Sequence, residues 1–151
     1  LQTAVNDAWN ANVLLVAAAG NGNSTAMMYP GAYANVIAAG ATDNNDKKAL
    51  FSTYGMWVDV AAPGVSVYST FPNHRFVLAR EYNRSQGYDI GSGTSVSSPV
   101  VAAVAALAWS ANPGASNSTV RAKVESSTNT IEGIGTSWTH RRVNADLAVH
   151  W

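Results

Sequence analysis

Two uninterrupted apolar runs restrict this chain more than anything else in it: Val13-Leu-Leu-Val-Ala-Ala18 and Val36-Ile-Ala-Ala-Gly-Ala41. Each has strand length and neither alternates. A strand with one wet face must alternate, so such runs predict strands covered on both faces, the condition of a parallel sheet. A third run, Val100-Val-Ala-Ala-Val-Ala-Ala-Leu-Ala108, is too long for such a strand and predicts a buried helix from about Ser95 to Ser110, stopped by Asn112-Pro113-Gly114. Leu1, Val5, Ala8 and Trp9 share one face of an earlier helix. Weaker signals predict strands at Val58-Asp-Val60 and over Val65 to Thr70, and an excursion hairpin from Phe76 to Ala79 and Tyr88. A helix from Thr119 to Ser126 is expected behind a Ser118 cap, and a last one over Asn144 to Val149. The fold class that accommodates all of these is α/β, three α/β/α layers around a mostly parallel central sheet.

Composition narrows the function. A chain of 151 residues has the length of one domain and can bury a core. Nine basic and nine acidic side chains cancel, so no electrostatic footprint for nucleic acid or an anionic membrane surface exists. No stretch reaches the ~18 consecutive apolar residues of a membrane span. The absence of cysteine removes disulfides, thiolate zinc sites and thiol chemistry together. The chain opens at Leu1, without Met or a basic leader, already inside a helical pattern, and so reads as cut within a domain. Sequons at Asn23, Asn83 and Asn117 would suit a secreted protein, although chance supplies such triplets in a chain this rich in Asn, Ser and Thr.

Chemistry concentrates in two places. Gly93-Thr94-Ser95-Val-Ser-Ser-Pro99 delivers a serine to the mouth of the buried helix, where free N–H groups and the helix dipole stabilise developing negative charge. Gly93 and Thr94 allow a tight turn and close approach of a substrate backbone. The competing reading is an ordinary N-cap supplied by Thr94, Ser95 or Ser97. The nucleophile elbow G-x-S-x-G is not matched, because Ser97 occupies its last position. The second place is Gly20-Asn21-Gly22 at the end of the first buried strand, where a primary amide is a suitable neutral donor to an oxyanion, or else part of a plain Gly-Asn turn.

Six blocks occur in order: Val16-Ala-Ala-Ala-Gly-Asn21, Tyr29-Pro-Gly-Ala-Tyr33, Val36-Ile-Ala-Ala-Gly-Ala41, Phe51-Ser-Thr-Tyr-Gly55, Val58-Asp-Val-Ala-Ala-Pro-Gly64 and Gly93-Thr-Ser-Val-Ser-Ser-Pro99. In order and spacing they resemble the C-terminal part of the catalytic domain of a subtilisin-like serine protease (subtilase, peptidase family S8), in its thermitase-like branch. The likeness spans residues 1–151 apart from about 73–92. It implies Ser95 as the acylating nucleophile and the Asn21 amide as an oxyanion donor, joined by the Ser95 N–H. Ala18, Ala19 and Gly20 would line one wall of the pocket for the residue before the scissile bond, with Met28 near its base, so an apolar or aromatic side chain is expected there. Protein or peptide substrates and an extracellular location follow from the same resemblance. No cofactor is needed for the chemistry. The family often binds calcium, and a weak structural Ca2+ site would use the backbone carbonyls of Gly31, Tyr33 and Val36.

The departures matter as much. The family reads Asp, then His, then Ser, with the first two in an N-terminal half that this chain does not hold. His74, His140 and His150 have none of the family's His-Gly-Thr setting and read as surface histidines. Without a base Ser95 is a poor nucleophile, so the chain alone is expected to be nearly inactive. The missing half is therefore an expected partner. A non-catalytic relative that binds peptides or a partner, or a stand-alone α/β binding module, are the alternatives. Val96 and Val100 stand where the family usually has Met and His. Val96 removes an oxidisable thioether from beside the serine, so peroxide should inactivate the complete enzyme only slowly; activity followed against time in peroxide checks this. Residues 73–92 form an insertion, which would rim the cleft, offer autolysis sites at Arg75, Arg80 or Arg84, or be loop decoration.

Overall fold

The two apolar runs become neighbouring parallel strands, β1 (Leu15–Ala18) and β2 (Val36–Thr42), in a computed structural model that describes residues 1–151. Every residue of β2 is buried, as its lack of alternation requires. β3 (Val60–Pro63) extends the sheet in parallel, and two short strands, β6 (Thr128–Asn129) and β7 (Arg142–Val143), complete the order β1-β2-β3-β7-β6. Only β6 runs antiparallel to its neighbour. The sheet is thus mostly parallel, and the chain is α/β.

Pleat decides which helices each face meets. Ile37, Ala39, Val60 and Ala62 point to one side and pack with Val101, Val104, Ala105 and Ala108 of α3 (Thr94–Ala111), with Val120 and Val124 of α4 (Asn117–Ser126), and with Ala148 of α5 (Ala145–Val149). On the other side α1 (Gln2–Asn10) lies along the β1 edge, where Ala4, Val5 and Ala8 share a cavity of about 280 Å³ with Leu15, Ala17 and Val36. Trp138 packs on that face with Val58 and Ala61; a Cβ on Gly40 would sit 3.3 Å from its ring and from Val58 Cγ1, so the glycine lets both approach β2 closely.

Several elements differ from the sequence reading. β1 starts at Leu15, because Val13 is exposed and its carbonyl accepts the Asn117 amide at 3.2 Å instead of a ladder bond. Val58 is buried but precedes β3, its N–H being turned to Gly55 O at 3.0 Å. α4 is capped by Ser116, whose Oγ accepts Thr119 N–H at 3.2 Å, and not by Ser118. Phe76 to Ala79 gives no hairpin strand: Val77–Glu81 is a short helix, α2, while β5 (Tyr88–Gly91) pairs antiparallel with β4 (Val67–Thr70) in a separate two-stranded sheet. α3 is long and apolar enough to cross a membrane, contrary to the reading that no stretch is, yet it lies against β1, β2, β3, α4 and α5 as the core helix.

One polar cluster ties these layers. Arg121 of α4 donates to Asp59 Oδ1 at 3.2 Å and to Glu125 Oε1 at 2.7 Å, and Asp59 Oδ2 accepts Ala38 N–H at 2.7 Å. Burial pushes the Asp59 carboxyl above the usual range, while the Ala38 N–H and Arg121 hold it down. Arg121→Met removes the guanidinium from two largely buried carboxylates, leaving Asp59 only the Ala38 N–H and Glu125 only His140 at 3.7 Å, and is expected to cost about 2–3 kcal/mol at neutral pH. Losing Arg121 raises the Asp59 pKa further above its unfolded value. The folded variant then holds the proton more tightly than the unfolded chain, so its deficit is full at neutral pH and shrinks as pH falls towards about 4. Urea unfolding at both pH values measures it.

Candidate active site

The α3 N-terminus is fixed by backbone bonds to the sheet. Gly64, just past β3, donates to Thr42 O at 2.9 Å and accepts Gly93 N–H at 2.8 Å. Gly93 has φ +149°, a conformation that side chains resist, and α3 begins immediately after it. No side chain caps the helix. Thr94 is fully buried and its hydroxyl is engaged elsewhere, Ser97 Oγ turns back to Gly93 O at 3.5 Å, and Ser95 Oγ, exposed, makes no hydrogen bond. The capping reading of Ser95 therefore fails. Its own N–H, in the first helical turn, likewise has no backbone acceptor.

Asn21 is locked onto the same turn. Its Oδ1 accepts from Thr94 N–H and from Thr94 Oγ1, both at 2.9 Å, and Thr94 Oγ1 in turn accepts Gly20 N–H at 3.0 Å. With the carbonyl end committed to Thr94, the amide's donor end is left over. A Cβ placed on Gly93 would lie 3.0 Å from Ser95 Oγ and 3.4 Å from Asn21 Nδ2. The missing side chain of Gly93 is thus the space across which hydroxyl and amide face each other.

Gly20, at φ +105°, lets Met28 and Thr53 close in: a Cβ there would meet Met28 Cγ at 3.0 Å and Thr53 Oγ1 at 3.1 Å. Ala18, Gly20 and Met28 are therefore neighbours at the end of β1. Ala19 is different, its side chain sitting in the core with Val58 and Trp138, which leaves only its backbone to line a pocket. Gly31, Tyr33 and Val36 lie in the turn into β2, where Tyr33 O accepts Val36 N–H at 3.0 Å. No group of three or more His, Cys, Asp or Glu side chains could hold a metal ion.

None of the histidines bonds to Ser95. His74 is exposed, His140 lies 3.7 Å from Glu125, and His150 Nδ1 lies 2.7 Å from Asp146 O. Sequence reasoning missed two further features. Thr94 is the residue that orients Asn21, a part visible only once the two segments are brought together. The other is a cavity of about 270 Å³ beside Ser95, walled by Phe71, Leu78, Tyr82, Arg84, Gly91 and Val96 among others. The distances within the Ser95, Asn21 and Thr94 set bring an unbonded hydroxyl and the free donor end of an amide together at a helix N-terminus, with no histidine bonded to the serine.

Residues 1–145 match the subtilase family, peptidase S8. This chain belongs to the subtilase family. It is 47% identical over 151 residues to thermitase of Thermoactinomyces vulgaris, and 43% identical over 149 residues to a thermophilic serine proteinase of Bacillus sp. (strain AK1). Among solved structures, proteases from Pseudoalteromonas arctica PAMC 21717 superpose with a TM-score of 0.83 at 31% identity, over 98% of this chain and 45% of theirs. A lanthipeptide protease at 22% identity shares the fold, with a TM-score of 0.81 over 98% of this chain and 53% of its own. The subtilase chain described here covers 100% of its own length in the thermitase match but only 49% of thermitase, and 34% of the Bacillus proteinase.

Proposed function

We propose that this chain is the C-terminal part of the catalytic domain of a secreted serine endopeptidase, with Ser95 as nucleophile and Asn21 as oxyanion donor. The observation that carries this reading is the Thr94 clamp, which spends the Asn21 carbonyl and leaves its NH2 facing Ser95 Oγ across Gly93. In the reaction Ser95 Oγ bonds to the scissile carbonyl carbon as its proton passes to a histidine of the absent half. The carbonyl oxygen, now negative, accepts from Asn21 Nδ2 and Ser95 N–H. Collapse breaks the C–N bond, the amine leaves with that proton, and water later hydrolyses the ester. Ala18, Gly20, Met28 and the Ala19 backbone would flank the acyl side chain, which favours apolar or aromatic residues. Hydrolysis of matched Phe and Glu peptides by the complete enzyme checks that preference; faster cleavage after Glu would count against it.

Two surfaces support an absent N-terminal half as the partner. β1 is an open parallel edge whose residues are all apolar and only half-buried, whereas parallel sheets are ordinarily covered. The outer face of α3 leaves Ala102, Ala103, Ala106 and Leu107 exposed. Neither surface presents charge to nucleic acid. The carbonyls of Gly31, Tyr33 and Val36 suit at most a weakly held calcium ion, since carboxylates are lacking; it would brace the turn and supply no chemistry. Of the sequons, Asn117 is 6% exposed and its amide donates to Trp9 O and Val13 O, so glycosylation is open only to Asn23 and Asn83.

Labelling by a fluorophosphonate probe, read by peptide mass, tests the assignment. The complete enzyme should label at Ser95 and the isolated chain should label far more slowly. A complete enzyme labelled at another serine, or not at all, would overturn it.

A further inference from the structure

We propose that the cavity walled by the 73–92 insertion is a substrate subsite on the leaving-group side of Ser95, one that selects a bulky apolar side chain. The inference rests on the acyl-transfer reading above and adds to it the role of the insertion. Once Ser95 Oγ has attacked, the carbon carries three further substituents. The oxyanion turns to Asn21 Nδ2. The acyl chain runs along Ala18, Gly20 and Met28. What remains for the departing amine is the side of Ser95 away from Asn21, and there the cavity lies: it touches Ser95 and Val96 but none of Gly20, Asn21 or Met28.

The walls come from the insertion and its anchors. Leu78 and Tyr82 of α2 and its C-terminal boundary face Phe71 and Val96, and Arg84 and Ser92 supply polar lining. The segment is held, not loose. β4 and β5 pair from Val67 to Thr70, Tyr68 and Tyr88 stack at 5.8 Å, and the Phe71 and Phe76 rings lie 6.0 Å apart. Phe71 N–H donates to Gly87 O at 2.8 Å and Ser66 N–H to Ser92 Oγ at 2.9 Å, so the segment's closing strand leads straight into Gly93 and Ser95. Gly91 keeps the floor open, because a Cβ there would lie 3.3 Å from Val96 Cγ2 and 3.8 Å from the Phe71 ring. Arg84 lies 4.0 Å from Asp89, whose carboxylate also accepts Ser85 and Ile90 N–H at 2.7 Å, so the cation is partly answered and the apolar wall sets the preference. Leu78 at 46% and Tyr82 at 66% exposure have apolar surface to bury and no protein neighbour that covers it.

The test uses one fixed acyl ester on the complete enzyme, so that the acyl side never changes. The acyl-enzyme is partitioned between water and added leucinamide or glycinamide, and the ratio of the two aminolysis products is read. A half-open apolar subsite is expected to favour leucinamide by about tenfold. Leu78→Ser, Tyr82→Ser and the double variant should bring that ratio down, the double variant to within about twofold of unity. The ratio is internal to each enzyme, so a change in overall turnover does not enter it, and continued ester hydrolysis shows the variant folded. Ester turnover with a ratio that none of the variants moves would overturn the subsite alone. Absence of any acyl-enzyme in the unaltered enzyme would overturn the protease reading and the subsite with it.

Discussion

Gly64→Ala is expected to destabilise the chain by at least about 3 kcal/mol, at the upper end of what overpacking costs. A Cβ at this position would lie 2.2 Å from Ser97 Oγ, 2.7 Å from Ala41 Cβ and 2.9 Å from Gly93 O. The serine hydroxyl can rotate away, but the other two cannot. Ala41 belongs to the fully buried β2, and Gly93 O receives Val96 and Ser97 N–H at the start of α3. Relief therefore means moving α3 off the sheet, which also strains the Gly93 N–H bond to Gly64 O. A domain of this size should lose roughly 2–4 °C of melting temperature per kcal/mol, hence about 6–12 °C in total. Gly114→Ala is the control, since its Cβ would approach only Asn112 Oδ1 at 4.0 Å, and its melting temperature should hardly move. Because the displaced turn carries Ser95, fluorophosphonate labelling of the Gly64→Ala enzyme should slow beyond the loss of folded protein. Equal melting temperatures for the two variants would show that the contact is not rigid.

The core was legible in the sequence because burial on both faces leaves a signature that needs no partner to interpret. Val36 to Ala41 could be nothing but an interior strand, and the run from Val100 to Ala108 nothing but the helix on it. The rim was not legible, for physical reasons that differ by residue. β6 and β7 are two residues each, held by β3 and by each other, and carry no periodicity of their own. Phe76 to Ala79 has the apolar residues of a strand, but β4 takes β5 as its partner, and the short helix α2 satisfies the intervening backbone locally. At the candidate site, Ser95 and Asn21 each carry a common innocent reading in the sequence, an N-cap and a Gly-Asn turn. The cap is excluded for Ser95 by the lack of any side-chain cap on α3, and the two segments are joined by bonds between residues more than seventy positions apart: Thr94 to Asn21, and Gly20 to Thr94. Such bonds leave no trace in either segment alone, so the sequence shows Thr94 as a turn, cap or substrate-flanking residue and not as the one that orients Asn21.

Asn21→Asp and Asn21→Ala are expected to separate the amide's two jobs. Aspartate keeps an oxygen where Thr94 N–H and Oγ1 donate, so the clamp survives, and a charge-assisted bond to the Thr94 N–H is if anything stronger. What it loses is the Nδ2 donor, and it places negative charge where the reaction develops an oxyanion. Alanine loses both, leaving the buried Thr94 N–H without its acceptor, at about 1–3 kcal/mol of stability. Removing one oxyanion donor costs subtilisin itself, a relative of this chain, about 100- to 1,000-fold in turnover, and the same scale is expected here for alanine. Aspartate should fall further still, because repulsion adds to the loss, while its melting temperature stays nearer that of the unaltered protein. Activity and stability therefore rank the two variants in opposite orders. KM for a short peptide should change little in either, since the lost contact forms only as the carbonyl oxygen becomes charged. Steady-state kinetics with thermal unfolding on the complete enzyme decide it. An aspartate variant more active than the alanine one would mean that Asn21 serves the fold through Thr94 and does not meet the oxyanion.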